Sequence, residues 1–331
     1  MTPSSAPDAP VALVAGASRG LGLIVARELA SRGHRVAILA RDTESLSRAR
    51  ESAAGDGLEL HPYVADVTDS AGIENAVAQI ERDLGPIEVS IHVAGIIQVG
   101  PLEATTREHF EQAVDVMLWG PINVALAVLP AMRERGHGRI GTVTSIGGTI
   151  SVPRLLPYSV AKFGAVGFTQ GLSAELAGSG VTATTIVPGL MRTGSHLQAQ
   201  FTGDAAADYA WFGPSASLPL LSADGARAAR TMVDAVLAGR PLVTITPAAT
   251  VGMRVHGLAP GTVVRALGLV GRILPKAPRG ERRTVTGEQA RAELEQRSPR
   301  AARVVAALTT LGDRAARRTN EIPGHRPERR R

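Results

Sequence analysis

The chain has 331 residues, of which 44% are hydrophobic, 20% charged and only 3% aromatic. That composition supplies a full apolar core and excludes an intrinsically disordered chain, while the absence of cysteine excludes a disulfide scaffold, thiolate metal sites and cysteine nucleophiles. The net charge of +6 is uneven, −5 over residues 1–249 and +11 over 250–331, so a basic body that grips nucleic acid is not expected.

The leader 1–10, MTPSSAPDAP, lacks the basic and apolar regions of a signal peptide and is expected to be flexible. No uncharged apolar stretch of about 18 residues is read as a spanning helix. With no cysteine, these features fit a cytoplasmic protein. Val11 to Ala15 is an apolar run that opens into Gly16-Ala17-Ser18-Arg19-Gly20-Leu21-Gly22. An amphipathic segment to Ser31 and a second apolar run, Val36 to Ala40, complete a βαβ unit. Further strands are predicted at 58–64, 88–93, 139–144, 181–187 and 242–246, and helices at 43–53, 70–84, 106–135, 157–177 and 223–238. Strands alternating with crossover helices make an α/β body over 11–249: a Rossmann-type, doubly wound parallel sheet with helices on both faces. Ligands of such sheets sit at the strand carboxyl ends, where the strand order reverses.

An Arg-rich extension, expected to be helical and irregular, occupies 250–331. Val263, Leu267, Val270 and Leu274 form one stripe of an amphipathic helix at 262–274. Residues 286–318 read as one or two polar helices and the final PGHRPERRR as disordered.

Three groups of residues carry chemistry. Glycines 16, 20 and 22 between a strand and a helix let backbone approach a pyrophosphate, with the helix N-terminus as an anion site; the bland alternative is a tight turn without a ligand. After the second strand, an acidic residue would bond ribose hydroxyls, whereas a basic one welcomes a 2′-phosphate. Here Arg41 stands there and Arg19 lies in the turn, which favours NADP(H) over NAD(H); Asp42 dilutes the preference. The third group is Ser145, Tyr158 and Lys162. Tyr158 and Lys162 are i and i+4 on one helical face, and Pro157 sets the helix start. A phenol of pKa about 10 is about 0.1% ionised at pH 7. An ammonium ~5 Å away at an effective dielectric of ~20 lowers it by about two units. Of 36 basic residues only Lys162 and Lys276 are lysines, which singles out Lys162 further.

These motifs together resemble the short-chain dehydrogenase/reductase family: Ala15 to Gly22, Asp66-Val67, Ala94-Gly95, Ser145, Tyr158 with Lys162, and Pro188-Gly189 with Thr193, in order over 11–247. The resemblance implies a seven-stranded sheet of order 3-2-1-4-5-6-7 and an NAD(P)-dependent oxidoreductase. It implies Tyr158 as general acid/base, Ser145 holding the substrate oxygen, and Lys162 lowering the tyrosine pKa while binding the nicotinamide ribose. Gly16, Ser18, Arg19, Gly20, Leu21, Gly22 and Arg41 would hold the phosphate-bearing half. Asp66 and Val67 would meet the adenine, Ala94 and Gly95 the ribose, and Pro188, Gly189 and Thr193 the nicotinamide amide. It also implies a homodimer or homotetramer through the two long helices, whose Ala161, Gly164, Ala165 and Gly167 read as exposed small residues.

Two positions depart from the family pattern. Asn-Asn-Ala-Gly reads His92-Val93-Ala94-Gly95, and the helix asparagine that shapes a proton relay aligns with Met117. Pro121, four residues on, deletes the N–H that would bond the Met117 carbonyl, so it replaces the asparagine's effect or is only a local bend. Met117 also motivates the alternative of a cofactor-responsive binding protein without turnover.

Phe201, Tyr209, Trp211 and Phe212 are read either as an apolar lid over a hydrophobic carbonyl/alcohol substrate or as anchors of a long loop. His196 beside them reads as a surface residue of that lid. The scattered histidines predict no metal. Without aromatics after Phe212 for stacking, no nucleic-acid partner is expected. The helix at 262–274 suits covering the cleft or packing on a neighbouring subunit better than lying on an anionic membrane, which is the second reading.

Overall fold

A computed structural model describes residues 9–219, 221–274 and 283–322. The start of the leader and the end expected to be disordered lie outside the described residues. Seven strands form one sheet: β1 (Val11–Ala15), β2 (Arg35–Ala40), β3 (Leu60–Val64), β4 (Ile87–His92), β5 (Gly138–Val143), β6 (Val181–Val187) and β7 (Leu242–Thr244). Their order is 3-2-1-4-5-6-7, and every pairing is parallel.

Side-chain alternation along β1 builds the two layers. Ala12 and Val14 join one core with helices Gly20–Ser31, Thr43–Ala54 and Gly225–Leu237. Val11, Leu13 and Ala15 join the other, with Ser70–Leu84 and Gly120–Arg135. The sheet is therefore buried on both sides, as uninterrupted apolar strands require.

The predicted helix at 106–135 is found in three pieces. An α-helical stretch, Arg107–Val114, leads into a π-helical turn over Asp115–Trp119, and α-helix resumes at Gly120–Arg135. At the turn's end Gly120 N–H donates to Asp115 O, five residues back. The irregularity expected from Pro121 is thus present, as a wide turn. Contrary to the sequence expectation, this helix is long and apolar enough to cross a membrane by length and composition. Its Val124, Val128 and Met132 instead pack against the sheet.

The exposed small residues expected on the next long helix, Leu156–Glu175, mostly face inward. Ala161 and Ala165 are fully buried, and a Cβ on Gly164 would meet Leu118 of the same chain; only Gly167 has open space.

The extension divides in two. Helices Pro247–Leu258 and Pro260–Ile273 project, and the second buries none of its residues. It does not line the cleft, which corrects the expectation of a cover. Residues 284–322 instead pack on the body, and only their Glu321 lines the cleft. Thr284–Thr286 pairs antiparallel with Gln200–Thr202, and helices Gly287–Arg297 and Pro299–Arg318 follow. Their Val285, Leu294 and Val305 close a third core around Phe201, Tyr209 and Phe212.

Candidate active site

A cleft of about 610 Å³ lies across the carboxyl ends of the central strands, at the reversal between β1 and β4. Every residue predicted for cofactor or catalysis lines it: Gly16, Ser18, Arg19, Gly20, Leu21, Gly22, Arg41, Asp66, Val67, Ala94, Gly95, Ser145, Tyr158, Lys162, Pro188, Gly189 and Thr193.

The three glycines divide the labour of a dinucleotide turn. Gly16 has φ +86° and faces Ala94 so closely that no Cβ fits. Gly22 packs on the Gly16 carbonyl, which brings the helix tight against the turn. Gly20, at φ +56°, has no room for a Cβ either, because the Glu321 carboxylate stands over it where a ligand would approach. The helix begins with no acidic residue and no side-chain cap, as an anion-binding N-terminus should. These features fit a dinucleotide pyrophosphate.

At the adenosine end, Asp42 caps helix Thr43–Ala54 by accepting from Ser45 N–H at 2.9 Å. Its carboxylate is thereby engaged, and hydrogen bonds from the Ser45 hydroxyl and N–H hold its pKa below the usual carboxylate range. Arg41 pairs with Asp66 at 3.5 Å, and Arg19 with Glu321 at 3.4 Å.

At the other end, Ser145 follows β5, and its Oγ accepts the Gly147 N–H at 3.0 Å. A Cβ on Gly147 would stand 3.0 Å from Tyr158 Cε1 and 3.4 Å from Ser145 Oγ, so this glycine lets the serine and the tyrosine meet. Lys162 Nζ donates to the Val143 carbonyl at 2.8 Å and lies 5.9 Å from the Tyr158 ring centre. The lysine is 4% exposed, and burial lowers its pKa to about 8. Burial also pushes the Tyr158 phenol above its ordinary value, with the Ser145 hydroxyl partly offsetting it. Desolvation, which disfavours phenolate and ammonium alike, therefore sets the direction for both groups, contrary to the lowering expected from Lys162.

The short chain dehydrogenase family matches residues 10–201. This chain is a short-chain dehydrogenase/reductase. It is 35% identical over 182 residues to gluconate 5-dehydrogenase of Gluconobacter oxydans, covering 55% of this chain and 71% of that protein. It is 28% identical over 274 residues to 17-beta-hydroxysteroid dehydrogenase 13 of Rattus norvegicus, covering 82% and 86%. A crystal structure of a variant actinorhodin polyketide ketoreductase with NADPH superposes with a TM-score of 0.66 at 29% identity, covering 74% of this chain and 98% of that one. A short-chain dehydrogenase from Streptomyces avermitilis gives 0.67 at 28%, covering 81% and 98%. The protein is thus an oxidoreductase of the class that interconverts carbonyls and alcohols.

The departures from the family sit together in this dehydrogenase/reductase. Met117 is buried against Ala113, Ala161 and Tyr158, and a Cβ on Gly95 would lie 3.5 Å from its Sδ and 3.8 Å from Lys162 Nζ. His92 is fully enclosed, and neither ring nitrogen has a hydrogen-bond partner. Burial and the nearby Lys162 charge push its pKa down to about 3, against the opposing influence of the Ala94 and Val116 main chain.

The aromatic segment serves both readings at once. Trp211 and Phe212 line the cleft, whereas Phe201 and Tyr209 are fully buried in the third core. His196 is not on the surface: it is 1% exposed, and its Nε2 lies 3.0 Å from Asp313 Oδ1. The extension's last helix covers it, which the local sequence around His196 does not signal. Sequence reasoning also missed Glu321, whose side chain reaches the cleft from that helix's far end. It belongs to no motif, so only the fold brings it there. Among the described residues no histidine and carboxylate cluster suited to a metal is found.

Proposed function

We propose that this dehydrogenase/reductase moves hydride between NADP(H) and a carbonyl/alcohol pair on a hydrophobic substrate. The observation that carries the reading is the grouping of Ser145, Tyr158 and Lys162 at the apolar end of a cleft whose other end bears Arg19 and Arg41. The nicotinamide, when bound, supplies or accepts the hydride. The Ser145 hydroxyl orients the substrate oxygen. Tyr158 gives its phenolic proton to that oxygen in reduction and takes it back in oxidation. Lys162 stabilises the phenolate so formed and binds the nicotinamide ribose. Trp211 and Phe212 exclude water and favour a bulky apolar substrate. Arg19 and Arg41 would hold a 2′-phosphate, with Asp42 withdrawn to its cap.

Fluorescence titration with NADPH and NADH, repeated on Arg41→Ala, tests the cofactor assignment. NADPH affinity should fall toward the NADH value in the variant; equal affinities in the unaltered protein would refute the preference. Tyr158→Phe should abolish turnover of bulky ketones and leave cofactor binding intact. Absent turnover in the unaltered protein, with binding retained, would favour the alternative of a cofactor-responsive partner, motivated by the thioether of Met117.

We also infer two contacts. Trp119, Leu126, Val160 and Phe163 are exposed on the two long helices, which supports a homodimer or homotetramer through that face. Phe163→Glu should lower the mass found by sedimentation equilibrium. Helix Pro260–Ile273 exposes Val264, Leu269 and Ile273, and residues 247–274 contain Arg254, Arg265 and Arg272 but no acidic residue. A two-fold contact of this patch with itself would oppose like charges, so an anionic membrane surface fits it better. Co-sedimentation with phosphatidylglycerol vesicles should be lost in Leu269→Glu/Ile273→Glu; equal sedimentation of both proteins would refute this docking.

A further inference from the structure

The end of the extension reaches the glycine turn itself. Gly20 N–H, at the opening of helix Gly20–Ser31, donates to the Thr319 carbonyl at 2.7 Å. Asn320, in the left-handed region at φ +60°, donates from Nδ2 to the Ser18 carbonyl at 2.7 Å and to the Ser45 carbonyl at 3.1 Å. Thr319 Oγ1 donates to the Thr193 carbonyl at 2.9 Å, and Gln198 Nε2 to the Glu321 carbonyl at 2.8 Å. These bonds fix the backbone and set the Glu321 side chain over Gly20. A Cβ on Gly20 would collide with Glu321 Oε1.

In a dinucleotide turn the second glycine lacks a side chain so that the pyrophosphate can approach the backbone. Here a carboxylate stands in that place. It is 6% exposed, and its Oε2 has no hydrogen-bond partner, only the looser pairing with Arg19 at 3.4 Å. Leu21 and Gly22 keep their first-turn N–H groups for a phosphate. Resting on the dinucleotide reading above, we propose that Glu321 is a cofactor-site residue supplied by the extension. Its carboxylate holds the pyrophosphate seat in the free protein and takes up a proton when a dinucleotide binds.

The chemistry of the surroundings supports that step. Burial raises the Glu321 pKa to about 7, with Arg19 opposing the rise. Gln198, which bonds the Glu321 carbonyl, and Thr319 and Asn320 before it in the chain do not ionise; Arg48 contacts Asn320 and is drawn to Glu44. A pyrophosphate brought beside Glu321 adds negative charge, which raises its pKa further. Proton uptake balances the step: one proton moves from solvent to the carboxylate, and the bound dinucleotide then meets a neutral acid that can donate to a phosphate oxygen.

The test compares unaltered protein with Glu321→Gln, which keeps the shape and removes the charge. Both are titrated with NADPH by fluorescence at pH 6 and pH 8.5, and calorimetry in two buffers of different ionisation enthalpy gives proton uptake at pH 8. Lys162 and the cofactor phosphate titrate in both proteins, so they cancel in the ratio of affinities. The expected result is near-equal affinity at pH 6, about tenfold tighter binding by Glu321→Gln at pH 8.5, and greater uptake by the unaltered protein. An affinity ratio unchanged between the two pH values, with equal proton uptake, would overturn the proposal and leave the dinucleotide site standing. No NADPH binding by either protein would overturn the dinucleotide reading, and the proposal with it.

Discussion

Gly120 lies directly on the imidazole of His92: a Cβ there would stand 3.0 Å from Cε1 and 3.0 Å from Val67 Cγ2. The π-helical turn ends at this contact, so the glycine sets how closely the long helix approaches the end of β4. Gly120→Ala improves helix propensity but overpacks a closed site. It should destabilise the protein by about 1–3 kcal/mol in urea unfolding and lower turnover through the displaced turn. A stabilised variant with full activity would show that the contact is slack.

The same His92 makes an acid limb. Its folded pKa of about 3 lies below the unfolded value of 6.5. Between the two, the unfolded chain binds the proton and the native protein does not. This contribution to stability is therefore complete above pH 6.5 and is lost progressively as pH falls toward 3. From pH 7 to 4.5 the loss should be about 3 kcal/mol. His92→Asn removes the titration, so its urea midpoint should fall less over that range; parallel decline of both proteins would count against the assignment.

Lys162 shows the opposite face of burial. With a folded pKa of about 8 against 10.5, the unfolded chain again holds the extra proton between these values. Stability should therefore rise as pH climbs from 8 to 10.5. Lys162→Met removes the buried charge and its bond to Val143, and should raise Tm by a few degrees near neutrality. Turnover should fall by about 10²–10⁴, because the tyrosine loses its charge partner. A lowered Tm would mean that the hydrogen bond outweighs desolvation.

Where repeating physics acts on neighbours in the chain, the sequence is legible. Apolar strand runs place β1 to β7 within a few residues, and the i,i+4 relation puts Tyr158 and Lys162 on one face. The glycine turn works the same way, since each missing Cβ answers a local clearance. What escaped lies in long-range packing. Helix Pro247–Leu258 is hidden by glycines in an irregular stretch, and although Pro121 marks a break in the long helix, the π-helical form of that break is not written in the local sequence. Glu321 is 301 residues from Gly20 in sequence, and no periodicity links them. The inward turn of Ala161 and Ala165 has the same origin, because the face a helix buries is decided by its neighbour.

The His196–Asp313 pair tests whether the extension is part of the folded unit. Asp313 Oδ1 lies 3.0 Å from His196 Nε2, and Oδ2 accepts from Arg291 Nη1 at 3.0 Å. Burial alone would raise the Asp313 pKa, but the bond from His196 and the charge of Arg291 prevail and hold it below the usual aspartate value. Its contribution is therefore present above the unfolded carboxylate pKa and lost as pH falls through the lower folded one. Asp313→Ala leaves the buried histidine and the arginine without their acceptor, at a cost of about 3 kcal/mol. Because Trp211 packs on the same core, its fluorescence should report the loosening, and NADPH affinity should change with it as Thr319 and Glu321 lose their support. Unfolding that stays unchanged by tryptophan fluorescence would show the extension to be an independent appendage.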